Sequence, residues 1–143
     1  MNRGEFERIR DWPGKVIRHD IVFAPKRSLA PLLVAEVEVE NTLDARMTLT
    51  IHFNPEVGSK SFNVRVEKIG PICRLDLDGP PHRPLGRSHK HSLREESCPK
   101  LNLPSADDAS EYQGLSLREA FAKFCDRARI KHEGSIEPVD DRP

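Results

Sequence analysis

The strongest constraint on this chain is a two-residue alternation in its first half. Leu33, Ala35, Val37 and Val39 alternate with Glu36, Glu38 and Glu40, and Met47, Leu49, Ile51 and Phe53 alternate with Thr48, Thr50 and His52. Successive strand side chains point to opposite faces, so this period reads as strands with one apolar and one polar face. Asn41-Thr42-Leu43-Asp44 between the two runs supplies turn chemistry, and together they read as an antiparallel hairpin. Phe62, Val64 and Val66 continue the pattern, as do Cys73, Leu75 and Leu77 after Gly70-Pro71. Val16–Phe23 adds a β-branched run with Ile17, Ile21 and Phe23 on one side and His19 among them, which reads as a core or edge histidine.

Two helices frame the strands. Glu5–Trp12 carries Phe6 and Ile9 and stops before Pro13-Gly14. Ser116-Leu117-Arg118-Glu119 is a capping box, followed by Leu117, Ala120, Phe121, Phe124, Cys125 and Ala128 at helical spacing. The expected fold class is α+β: an antiparallel sheet of four to five strands, packed on one face by the C-terminal helix. Residues 1–132 are expected to form a single domain, and 133–143 a flexible tail. From Gly79 to Gly114 the strand signal stops, and a long irregular loop is expected.

Charge narrows the function classes. Lys plus Arg and Asp plus Glu number 23 each, so the chain is not a general cationic coat for nucleic acid. Recognition of charge must come from local clustering. The charged start Met1–Arg8 does not read as a signal peptide, and the apolar run Leu29–Ala35 is broken by Pro31. A cytoplasmic protein with no membrane partner is expected, with Cys73, Cys98 and Cys125 reduced. Cys73 and Cys125 fall on apolar faces and read as inert packing residues.

The clustering lies between Pro80 and Leu93. His82, His89 and His91, half of the six histidines, fall within ten residues, interleaved with Arg83, Arg87 and Lys90. No carboxylate occurs between Asp78 and Glu95. Histidine titrates near neutrality, so two of the three can act as general base and general acid. Arg83, Arg87, Lys90 and Arg74 are the candidate phosphate ligands, since a cation must stabilise charge on a phosphorane. His52, Arg65 and Arg74 on the polar face can extend that surface. RNA cleavage by the substrate's own 2′-hydroxyl is the leading expectation: a metal-independent ribonuclease or phosphodiesterase of toxin or phage-defence type, without cofactor.

Three other readings stand beside it. The segment can bind RNA, another phosphate-bearing ligand or an acidic protein partner without reacting, as a regulatory module. His82, His89, His91 and Cys98 can hold zinc and stabilise the domain, although the spacing matches no standard finger. The segment can also be plain solvated surface. Asp76 and Asp78 stand at its entrance, placed to orient a histidine or join a metal site.

The succession Arg74-Leu75-Asp76-Leu77-Asp78-Gly79, then His82-Arg83-Pro84, Gly86 and His89-Lys90-His91 resembles a family of small bacterial and phage proteins with no settled activity. Its members carry an Arg-x-Asp strand, a loop with His and Pro, and a His-x-His segment. The likeness spans about residues 47 to 125. It implies an α+β fold, association with phage or mobile elements, and joint action of His82, His89 and His91.

Overall fold

The structure is a computed structural model and describes residues 3–26, 31–77, 89–92, 105–108 and 114–136. In chain order these form α1 (Arg3–Arg10), β1 (Lys15–Ile17), β2 (Ala24–Pro25), β3 (Leu33–Asn41), β4 (Met47–Asn54), β5 (Ser59–Val66), β6 (Gly70–Leu77), β7 (His89–Ser92), β8 (Ser105–Asp108), α2 (Leu117–Ala128) and β9 (Ile130–His132). The fold is α+β. The strands form one sheet in the order β8-β7-β6-β5-β4-β3-β1-β9, with β2 also paired to β3.

The strand count and the purely antiparallel arrangement expected from sequence both need correcting. Nine strands occur among the described residues, and the sheet is mixed because β1 and β9 run parallel. The additional strands are two to four residues long. Such pieces are too short to establish an alternation by themselves and owe their pairing to the long strands beside them. β7 and β8 lie within the segment read as irregular, so 79–114 is not loop throughout.

The central meander follows the alternation closely. Val37 pairs with Leu49 and Leu49 with Val64, and on the other face Glu36 pairs with Thr50 and Thr50 with Asn63. The β3–β4 turn is organised by Asn41, whose Oδ1 accepts from the amides of Leu43 and Ala45 at 3.1 and 3.0 Å. Between β5 and β6 the register shifts at Val64/Arg65, leaving Ile72 as the extra residue of a bulge. Ile72 is buried all the same, so three consecutive residues of β6, Pro71, Ile72 and Cys73, are buried.

α2 closes the apolar face. Its side chains at Leu117, Ala120, Phe121, Phe124, Cys125 and Ala128 are all buried in one core with the apolar rows of the sheet. Phe124 stacks on Phe62 of β5 with ring centroids 5.2 Å apart. The capping box forms: Ser116 Oγ accepts from the Glu119 amide and the Ser116 amide donates to Glu119 Oε1, both at 3.2 Å. Hydrogen bonds from the Ser116 amide, and then from its hydroxyl, hold the Glu119 carboxyl below its ordinary value. Ser116→Ala should cost about 1 kcal/mol of stability, read from the urea midpoint; an unchanged midpoint would mean that the cap contributes nothing.

Arg129, left-handed at φ 57°, ends the helix and turns the chain straight into β9. The Glu133 amide donates to Ile17 O and the Ile21 amide to Ser135 O, and Ile136 is buried. Residues 133–136, read as the start of the tail, are therefore tied to the sheet. His19, read as a core or edge side chain, is exposed, because the chain leaves the β1 pairing after Ile17.

The core also holds a lysine. Lys15 is 1% exposed, and its Nζ donates to the Arg10 carbonyl at the end of α1. The cation suits the negative end of that helix, but burial pushes the ammonium down to about 8. The unfolded lysine titrates near 10.5, so between these values the unfolded chain binds more protons and stability rises with pH. Burial also raises the Cys73 and Cys125 thiols, which lowers stability once the unfolded thiols ionise, around pH 9. The thiols offset most of the lysine's gain of about 1 kcal/mol between pH 8 and 9, so the lysine effect is read as a difference between two proteins. From pH 8 to 9 the change in stability, read from urea midpoints, should be about 1 kcal/mol more favourable in the wild type than in Lys15→Met. The same change in both proteins would contradict a buried ammonium.

Among the described residues no helix is long and apolar enough to cross a membrane.

Candidate functional site

The sheet's second face is polar, and its chemistry is set by register. One row across the strands reads His52 on β4, Ser61 on β5, Asp76 on β6, His89 on β7 and Asp108 on β8. The next row reads Glu36, Thr50, Asn63, Arg74, His91 and Ala106 from β3 to β8. The pairing of β7 to β6 thus brings His89 and His91, distant in sequence from His52, to the same rows as the polar side chains of the meander.

Apart from the exposed Glu36, the described side chains in these rows are half-buried, and two pairs among them approach each other. Arg74 Nε lies 3.2 Å from Asp76 Oδ2, an ion pair with side-chain exposures of 31% and 19%. That shelter makes the pair stronger than an open surface pair and fixes the guanidinium in place. His52 Nδ1 stands 3.5 Å from Ser61 Oγ. Burial holds the His52 ring below its ordinary pKa, and the positive charges of Lys26 and Arg74 push the same way. Both effects favour the neutral ring, against the opposing charge of Asp76. Asn63 Oδ1, between Thr50 and Arg74, is buried without a hydrogen-bond partner among the described residues. Such an acceptor is costly unless something donates to it.

The remaining candidates divide clearly. His82, Arg83, Arg87, Cys98 and Asp78 lie outside the described residues. Lys90 is in β7, but its register partners are Leu75 and Asp107, one position out of step with the two histidine rows. Arg74 sits within the site, and Arg65 lies two residues beyond Asn63 on β5. Among the described residues no group of three or more His, Cys, Asp or Glu side chains is placed to hold a metal ion. Cys73 and Cys125 are buried free thiols held protonated by that burial, with Cys125 pushed up to about 12. Neither is placed for nucleophilic chemistry.

Sequence reasoning does not single out Ser61, Asn63 or Thr50 as site residues. Their signal is the register of β4 against β5, which places polar residues opposite one another. No family model, curated protein or solved structure matches the chain.

Proposed function

We propose that the polar face is a phosphodiester site and that the protein cleaves RNA without a metal, using His89 and His91 as its acid–base pair. What supports the reading most is the register of β7, which sets His91 opposite Arg74 and His89 opposite Asp76. Two histidines, the residue type suited to acid–base work near neutrality, stand two positions apart on β7, at the register positions of an arginine and an aspartate that form an ion pair.

In the reaction, one histidine removes the proton from a ribose 2′-hydroxyl as that oxygen attacks the adjacent phosphorus. The bond from phosphorus to the 5′ oxygen breaks, and the second histidine protonates the departing oxygen. The products are a 2′,3′-cyclic phosphate and a free 5′-hydroxyl, with no net change in protons. Arg74 stabilises the charge that builds on the phosphorane oxygens. The test is to incubate the protein with single-stranded RNA in EDTA and identify the new ends. Cyclic phosphate ends are expected; 5′-phosphate ends would point to attack by water and a different mechanism.

A second reading, binding without cleavage, draws support from Arg65, exposed on the same face two residues along β5 from Asn63. It would show as RNA binding that weakens steeply with salt and survives loss of both histidines. The zinc reading turns on His82 and Cys98 as well as the β7 histidines, and predicts a lower melting temperature after chelation.

A further inference from the structure

The polar face is not uniform in charge, and its asymmetry points to the form of the substrate. Glu36, Glu38 and Glu40 are exposed along β3, whereas Arg65 is exposed on β5 and Arg74 is half-buried on β6. Asn63 pairs with Arg74 and Arg65 with Pro71, so Arg65 follows Arg74's row along β5, across the bulge at Ile72. Beyond Arg65 the face falls into an open depression of about 700 Å³ lined by Arg46, Thr48, Thr50, Arg65, Lys68 and, on its β3 side, Glu36. Lys68 is presented by the β5–β6 turn at φ 67°. The side chain of Arg46 is 88% exposed, and its contact with Glu67 is 3.6 Å long. A pair so exposed contributes little and yields readily to a competing anion.

We infer that the substrate is a single-stranded RNA several nucleotides long, its backbone running from the β7 histidine positions past Arg74 and Arg65 into the depression beside Lys68 and Arg46. This rests on the phosphodiester reading above and specifies its substrate class. The cations form a path that begins at the site of chemistry and leads away from it on one side. The glutamates of β3 border that path and repel a polyanion that strays from it, which fixes direction in a chain with no net charge to guide it. The hydroxyls of Thr48 and Thr50 supply neutral hydrogen bonds within the depression. In-line attack by a 2′-hydroxyl needs a nucleotide free to rotate its phosphate, which a single strand allows and a regular duplex resists.

The experiment is fluorescence anisotropy in EDTA with labelled uridine trinucleotide and dodecamer, on the His89→Ala/His91→Ala background so that no probe is cut. The dodecamer should bind at least about tenfold tighter than the trinucleotide, a difference of about 1.4 kcal/mol. Adding Arg65→Gln/Lys68→Gln should remove that advantage, leave trinucleotide affinity alone and lower the salt slope by about 1.4, the share of two cations on a single strand. Arg65→Lys should retain most of the advantage and guards against a folding artefact. Equal affinity for both lengths, no effect of the double substitution, or tighter binding of a matched duplex or of polyglutamate would overturn the inference. Failure of the cleavage reading looks different: length-dependent binding would persist while wild type and histidine variants cut no RNA.

Discussion

Alanine at His89 or at His91 is expected to slow RNA cleavage by about 10²–10⁴-fold for each residue, with binding of uncut RNA changed far less. The size follows from what each ring does in the step. Without a base, the 2′-hydroxyl attacks with its proton in place; without an acid, the 5′ oxygen leaves as an unstabilised alkoxide. Because the two rings act in one reaction, removing both should cost little more than removing the more important one. The pH–rate profile gives a sharper readout than the rate itself. Wild type should show a bell with one limb for each histidine, and each single variant should lose one limb. His19→Ala serves as the control, since His19 is exposed and lies outside the polar rows. A rate unchanged by both β7 substitutions would remove the acid–base assignment.

The largest expected loss of stability comes from the aromatic contact between sheet and helix. Phe62 and Phe124 are both 0% exposed, and Phe121 stands 6.3 Å from Phe62 beside the stacked pair. Phe62→Ala or Phe124→Ala should each cost about 3–5 kcal/mol, from lost burial and from the cavity that a close-packed core cannot fill. Against a total of about 5–15 kcal/mol, either change brings the protein close to unfolding at room temperature. A double-substitution cycle should return about 0.5–1.5 kcal/mol of coupling for the stacked rings beyond their separate burial. Phe62→Leu keeps most of the volume and should cost clearly less. A loss under about 1 kcal/mol for either alanine would mean that α2 is not the cover of this core.

Long periodic runs are the parts of the fold that the amino-acid sequence makes legible. The alternation from Leu33 to Phe53 specifies which side of β3 and β4 faces inward, and the capping box at Ser116 marks where α2 begins. All six apolar positions assigned to α2 are buried. β9 is not legible, because Ile130-Lys131-His132 is only three residues and its pairing with β1 links positions more than a hundred residues apart. β7 is hidden for a related reason. His89-Lys90-His91-Ser92 has no apolar alternation and takes strand form against β6.

The same distinction governs the site. That histidines crowd one segment can be read from composition along the chain. That His91 comes opposite Arg74, and His89 opposite Asp76, cannot, because register between strands joined by a long segment is set by pairing and not by local pattern. Lys90 shows the consequence. Sequence groups it with the phosphate ligands, whereas its register partners are Leu75 and Asp107. Asn63 is the opposite case, an unremarkable strand residue whose oxygen, buried and without a partner among the described residues, falls in the row of Arg74.

The most direct measurement compares cleavage of an end-labelled single-stranded RNA, in EDTA, by the wild-type protein and by His89→Ala/His91→Ala. Metal-free cutting to 2′,3′-cyclic phosphate ends by the wild type, lost in the double variant while the RNA still binds, is the predicted result. No cutting by the wild type, or equal cutting by both proteins, would contradict the assignment of this face as a histidine-driven phosphodiester site.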